Sequence, residues 1–168
     1  MMIDDFSKVR EAKVRDAERL AAVFAESWRV AYRGIIPNPQ LESLIRRRGP
    51  SWWKTNARQP DGPLVLIAGG VIAGYATFGP SRFSGGGQGE IYELYLMPVY
   101  QGLGLGAQLF ESSRYHLDMR GLDGLIVWAL SENTIATDFY LRRGGLPKFQ
   151  STETFGTRVV EKTGFVWK

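Results

Sequence analysis

Residues 89–110 read GEIYELYLMPVYQGLGLGAQLF, an apolar-rich strand, a proline break, and then glycines at 102, 104 and 106 that run into a helix. Glycine tolerates positive φ and lets a ligand approach the backbone, and a helix start leaves several N–H groups unpaired at its partially positive end. The stretch therefore predicts a cup for a diphosphate built from backbone, with little help from lysine or arginine. A Walker A loop is excluded, because Ala107 and Gln108 stand where it needs Lys and then Ser or Thr. Gly102, Gly104 and Ala107 do satisfy the dinucleotide pattern G-x-G-x-x-A, with Asp123 at about the expected distance downstream. The surrounding order argues against that reading: Met97 to Gln101 separate the glycines from their strand, and strands in hairpin order come before.

Outward from this stretch, a short strand is predicted near Lys8 to Ala12. A helix follows from about Asp16 to Tyr32, with Leu20, Val23, Phe24, Trp28 and Ala31 recurring at helical steps, and a second runs from Pro39 to Arg48. Leu64 to Ala68 and Val71 to Phe78 are apolar runs joined at Gly69-Gly70, the signature of a two-residue hairpin. The glycine-rich segment 79–89 reads as a flexible connector, either a mobile hairpin loop or a lid over a substrate. Beyond the strand Glu90 to Met97 come a helix from Gly104 to Arg120, a strand from Leu125 to Leu130 and a helix from Asn133 to Arg143. A hairpin of Phe149 to Phe155 and Arg158 to Trp167 closes the chain. The predicted fold is α/β, a mixed sheet of six to seven strands flanked by about four helices, with residues 1–168 as one domain.

Composition narrows the function. A chain of 168 residues, 44% hydrophobic, buries roughly 70% of its unfolded surface and needs no staple. It has no cysteine, and His116 is its one histidine, so disulfides, thiolate nucleophiles and metal centres are not expected. The net charge of +4 suits an anionic partner. Its densest basic cluster, Arg46-Arg47-Arg48, sits where cations meet a helix C-terminus, and no nucleic-acid motif accompanies it. No apolar run approaches the ~20 residues of a membrane span, and the N-terminal stretch MMIDDFSKVREAK lacks a signal-peptide core, so a cytoplasmic protein is expected.

Gln101-x-x-Gly104-x-Gly106 after a strand ending Leu94-Tyr95-Leu96 closely resembles the coenzyme A signature of the GNAT superfamily of N-acetyltransferases. Asn133, Ala136, Phe139 and Tyr140, spelling N-x-x-A-x-x-F-Y, look like the second half of that family's site. The opening VREAKVRDAERLAAVFAESWRVAYRGIIP resembles that of bacterial members, so the likeness extends over nearly the whole chain. It implies acetyl-CoA as co-substrate, no metal, and two parallel strands, Glu90 to Met97 and Leu125 to Leu130, that splay to admit an amine. Backbone groups of Leu94, Tyr95 and Leu96 would pair with the pantetheine arm, and Gln101, Gly102, Leu103, Gly104, Leu105, Gly106 and Ala107 would cradle the diphosphate. Asn133 would bond the arm; as a residue at a helix start it can instead be an N-cap, and the two roles can coexist. Tyr140 would protonate the departing thiolate, unless it is simply a core aromatic.

Direct acetyl transfer also needs a neutral amine, whose deprotonation at neutral pH costs on the order of 4 kcal/mol. Glu90 aligns with a glutamate that parts of the family use as base, while Glu93 suits an arginine pair or the acceptor pocket. Strict alternation would put the two on opposite faces of the strand. The position of an alternative base on the next strand is Trp128, which leaves Glu90, Glu93 or water. Trp28, Tyr32 and Arg33 are candidates for the acceptor pocket. The expected activity is N-acetylation of a small-molecule amine, with protein or peptide acetylation, or a non-catalytic coenzyme A sensor, as alternatives. A homodimer fits the family pattern.

Overall fold

The computed structural model describes residues 6–168; the first five residues of the charged N-terminal stretch lie outside that range. The elements are β1 (Ser7–Glu11), α1 (Ala17–Tyr32), α2 (Asn38–Arg47), α3 (Pro50–Ala57), β2 (Leu64–Ala68), β3 (Val71–Pro80), β4 (Gly89–Leu96), α4 (Leu105–Met119), β5 (Leu125–Leu130), α5 (Thr134–Arg142), β6 (Leu146–Phe155) and β7 (Arg158–Trp167). They form one mixed seven-stranded sheet in the order β1-β2-β3-β4-β5-β7-β6 with five α-helices. Among the described residues no helix is long and apolar enough to cross a membrane.

The fifth helix, α3, is missing from the expectation above. Gly49 followed by Pro50 at its first turn is a start signal, since proline's fixed φ suits a helix opening. Strand β6 also begins earlier than expected, at Leu146, and takes Pro147 into its first residues. It lies at the edge of the sheet, where a missing N–H is tolerated.

Each face of the sheet carries its own core. On one, Leu105, Leu109, Phe110 and Leu117 of α4 pack on Leu66, Ile91 and Val127. On the other, Leu20 and Phe24 of α1 and Trp53 of α3 pack on Val65 and Tyr75. The helices α1 to α3 lie over the β2–β4 side. The glycine-rich connector supplies cover over β5 and β6, with Phe83 edge-on to Trp128 (5.3 Å) and Phe149 (4.7 Å). It is pinned by the Ser81 N–H to the Gln88 carbonyl (2.8 Å) and the Gln88 N–H to the Asp123 carbonyl (2.7 Å). The expected flexible connector is thus a packed loop.

Two features of β4 shape the centre. Its register with β3 shifts so that Thr77 faces Glu93 while Phe78 faces Ile91, leaving Tyr92 as an extra residue, a β-bulge. The alternation expected of Glu90 and Glu93 is thereby broken. Ile91, Leu94 and Leu96 pack on the α4 side, and both glutamates lie on the other. The second feature is that β4 pairs with β5 only through Gly89–Leu125, Glu90–Ile126 and Ile91–Val127, while its pairing with β3 continues to Leu96. Beyond Ile91 the parallel strands separate.

Gly74 of β3 pairs with Leu96, on the side of β4 away from β5. A Cβ there would run into the Tyr95 carbonyl and the Leu96 side chain. Gly74→Ala should therefore destabilise the protein by about 1–3 kcal/mol in chemical denaturation, because a well-packed strand must shift to admit the methyl.

Candidate active site

The space between the diverging strands is a cleft of about 600 Å³, walled by β4, the glycine loop, the start of α5 and the side of α1. Leu94, Tyr95 and Leu96 line it from β4, on the edge that β5 has vacated. An extended ligand with amide groups can pair there as an added strand.

The glycine loop closes one end. Gly102 and Gly104 take φ of 79° and 78°, and a Cβ at either would meet nothing within 4 Å, so both look onto open space. Among the described residues no backbone carbonyl outside α4 accepts from the N–H groups of residues 102 to 107, and the first turn of a helix has none of its own to offer. The result is a concave row of donors at the positive end of α4, held in shape by Gln101, whose Nε2 donates to the Leu96 carbonyl (3.2 Å). Gln101, Gly102, Gly104, Gly106 and Ala107 line the cleft. Leu103 and Leu105 do not: Leu103 is exposed on the outside of the loop, and Leu105 turns into the core beneath α4.

Tyr140 lines the cleft from α5 and is buried among Phe110, Phe139, Phe165 and Trp167. Its hydroxyl bonds to no described residue, and burial raises its pKa well above the ordinary phenol value, so the proton is held. Asn133 caps α5 by accepting from the Ala136 N–H (3.3 Å). Its carboxamide also lies beside Tyr32. The cap and a place in the cleft coexist in one side chain.

A polar and aromatic floor underlies the cleft on the α1 side. The hydroxyls of Tyr32 and Tyr95 bond to each other, and burial pushes the Tyr32 phenol up to about 12. The Trp28 ring packs against both tyrosines, and its Nε1 donates to the Tyr75 hydroxyl (3.1 Å). Tyr75 in turn donates to Glu93 (2.6 Å). Glu93 also accepts from Thr77 (3.3 Å) and forms an ion pair with Arg48 (2.8 Å), whose guanidinium stacks on Phe24, Trp52 and Trp53. Trp28, Tyr32 and Glu93 thus support the cleft from behind rather than line it, and Arg33 is exposed at the end of α1.

Glu90 also lies outside the cleft, in the paired stretch of β4, 1% exposed. It accepts from the Arg82 backbone N–H (2.9 Å) and pairs with the Arg82 guanidinium (2.9 Å). Both carboxylates are therefore occupied by donors.

Several lining residues were not singled out from the sequence, among them Ser27, Glu132, Arg142 and Arg143. The two arginines carry a readable signal, directly following the N-x-x-A-x-x-F-Y pattern, but cations in the last turn of a helix equally complement its dipole.

Residues 21–145 match the model of the acetyltransferase (GNAT) family. The chain is 34% identical over 129 residues to the uncharacterized N-acetyltransferase YuaI of Bacillus subtilis, covering 74% of this chain and 72% of that protein. It is 24% identical to the spermidine N(1)-acetyltransferase of Thermoplasma acidophilum, over 82% of this chain and 86% of that one. A 29% match to the mycothiol acetyltransferase of Catenulispora acidiphila covers 78% of this chain but 43% of that longer protein. The crystal structure of PaiA N-acetyltransferase from Thermoplasma acidophilum shares the fold, with a TM-score of 0.73 at 20% identity over 93% of this chain and 97% of that one. With its splayed parallel strands, glycine-capped helix and matching sequence, this chain belongs to the GNAT family of acetyltransferases.

Proposed function

We propose that the chain transfers the acetyl group of acetyl-CoA directly to a primary amine of a small molecule. The observation that carries this reading is the wedge itself, which joins a backbone cup at its glycine end to an unpaired strand edge and a protonated tyrosine. The fit to coenzyme A is chemical at each point: N–H groups of residues 102–107 for the diphosphate, the edge of Leu94 to Leu96 for the pantetheine amides, and Tyr140 for the sulfur. The PaiA structure is of a complex with coenzyme A, and relatives named for spermidine and mycothiol favour a small acceptor.

Bound acetyl-CoA supplies an activated acyl carbon. In direct transfer a C–N bond forms as the C–S bond breaks, giving an amide and a thiol. The Tyr140 hydroxyl donates its proton to the leaving sulfur and regains one from solvent. Backbone N–H groups on the free edge of β4 polarise the carbonyl oxygen. The amine gives up its proton to water, because Glu90 and Glu93 are both held in ion pairs away from the cleft.

Gly104→Val should abolish acetyl-CoA binding in calorimetric titration, since a branched side chain both strains a positive-φ position and fills the cup. Tyr140→Phe should lower kcat by about 10²-fold or more with little change in the affinity for acetyl-CoA; an unchanged rate would assign thiolate protonation to solvent. Tyr140 acts as an acid, and its raised value keeps it protonated at alkaline pH. Rate should therefore climb as the amine deprotonates, with no fall below about pH 10 attributable to the tyrosine. Glu90→Gln should keep the rising limb of the wild-type profile, and its loss would restore that carboxylate as the base. Release of coenzyme A thiol on addition of small amines tests the reading as a whole, and a holoenzyme silent across a broad amine panel would defeat it.

A further inference from the structure

Trp128 stands where the seam between β4 and β5 ends. The last paired residue of β5 is Val127, opposite Ile91, so Trp128 is the first residue beyond the seam. Leu125, Val127 and Ala129 pack on the α4 side, and alternation turns the Trp128 side chain to the α1 side. A large ring therefore lies beside the start of the wedge, on the face opposite α4. Indole offers no base, so its use there is contact.

The ring is only partly enclosed. Gly164 of β7 lies beneath it, where a Cβ would stand 3.1 Å from Cη2 of the indole, and Phe83 of the connector meets it edge-on. Trp28, Trp53 and Trp167 donate from Nε1 to protein acceptors, whereas Trp128 Nε1 is not buried and has no partner among the described residues. Across the sheet, the tip of the β6–β7 hairpin closes on the junction of α1 and α2: Arg158 donates to the Gly34 carbonyl (3.2 Å), and a Cβ on Gly156 would meet Gln40. Glu153 of β6 looks into the space so bounded, since its charge reaches both the Tyr32 phenol and the Arg82 guanidinium.

Charge decides what this space accepts. The carboxylates that β4 and β6 turn to this side each hold a cation already: Glu90 with Arg82, Glu93 with Arg48, and Glu153 with Lys162 (3.0 Å). The Lys162 ammonium also lies 4.9 Å from the Trp128 ring centroid, the place that a second ammonium of an acceptor would take. A polycation would find no free acid and a like charge, while a neutral aromatic or apolar body would find the rings of Trp128 and Phe83.

We infer that Trp128 seats the acceptor and that this acceptor is an amine on a neutral aromatic or apolar body, with the Lys162–Glu153 pair closing the seat to polycations. The inference rests on the acetyl-transfer reading above and names the class of amine that it leaves open.

Rates of coenzyme A thiol release with phenethylamine and with spermidine, for wild type, Trp128→Ala and Lys162→Gln, test the seat, and calorimetric titration with acetyl-CoA checks each protein. Wild type should prefer phenethylamine by about tenfold or more in kcat/KM. Trp128→Ala should raise the KM for phenethylamine about tenfold while its affinity for acetyl-CoA stays within about twofold of wild type. Lys162→Gln, at the rim, should improve kcat/KM for spermidine severalfold, because it frees both Glu153 and the ring. Any one of three results overturns the seat while acetyl transfer stands: a wild type that prefers spermidine, a Trp128→Ala variant that binds acetyl-CoA and keeps its KM for phenethylamine, or a Lys162→Gln variant no better with spermidine. If Trp128→Ala binds no acetyl-CoA, the wild-type preference and the Lys162 variant decide. A wild type that releases no thiol with any amine overturns both readings.

Discussion

Three residue pairs between β4 and β5 are the constraint on which the rest of this molecule depends. A parallel pairing that continued to Leu96 would close the sheet and leave no cleft. One that failed altogether would divide the sheet between its two central strands. The short seam keeps the halves together at Gly89 to Ile91 and leaves backbone donors and acceptors unpaired immediately beyond. Unpaired strand edges in a protein interior are costly, and a ligand whose arm resembles a peptide is a natural means of satisfying them.

The β-bulge at Tyr92 organises the other side of the same strand. By shifting the alternation it turns Glu93 toward the α1 side, where Arg48, Tyr75 and Thr77 receive it. The carboxylate is bound to an arginine that is itself enclosed by Phe24, Trp52 and Trp53. Removing one partner of such a buried pair leaves the other uncompensated, which costs more than the pair contributes. The network ties α3 and the end of α2 to the strand that carries the site, and it sets Tyr32 behind Tyr95, which lines the cleft. Here the second function of the floor is rigidity: side chains that never touch the cleft set the position of those that do.

Much of this was legible in the residues. The hairpin at Gly69-Gly70, the glycine-capped α4 and the closing hairpin about Gly156 follow from local chemistry, in which positive φ and apolar periodicity leave few choices. The cleft residues on β4, the loop and α5 fall in two short motifs. The bulge did not announce itself, since one extra residue in a strand leaves composition and periodicity almost unchanged while inverting the face of Glu93. An arginine pair was one of the two readings of Glu93, but that Arg48 supplies it and that Arg82 engages Glu90 was hidden for a related reason: the pairs are 45 and 8 residues apart, and only the fold brings them together. Arg142 and Arg143 were ambiguous because one position satisfies both a helix dipole and a cleft.

The connector over β5 and β6 has a consequence for how the protein fails. Its cover depends largely on one ring, Phe83, set in a segment whose glycines gain much conformational freedom when released. Gly86 and Gly87 are so close to Ile126 and Gly124 that little else fits there, so the segment seats fully or leaves. When it leaves, Trp128 and Phe149 become bare beside the ten-residue edge strand β6, which is open along its outer side. An apolar patch adjoining a long free edge is a template for pairing between chains. Aggregation on heating would then begin at this corner, by a local opening away from the cleft between β4 and the glycine loop.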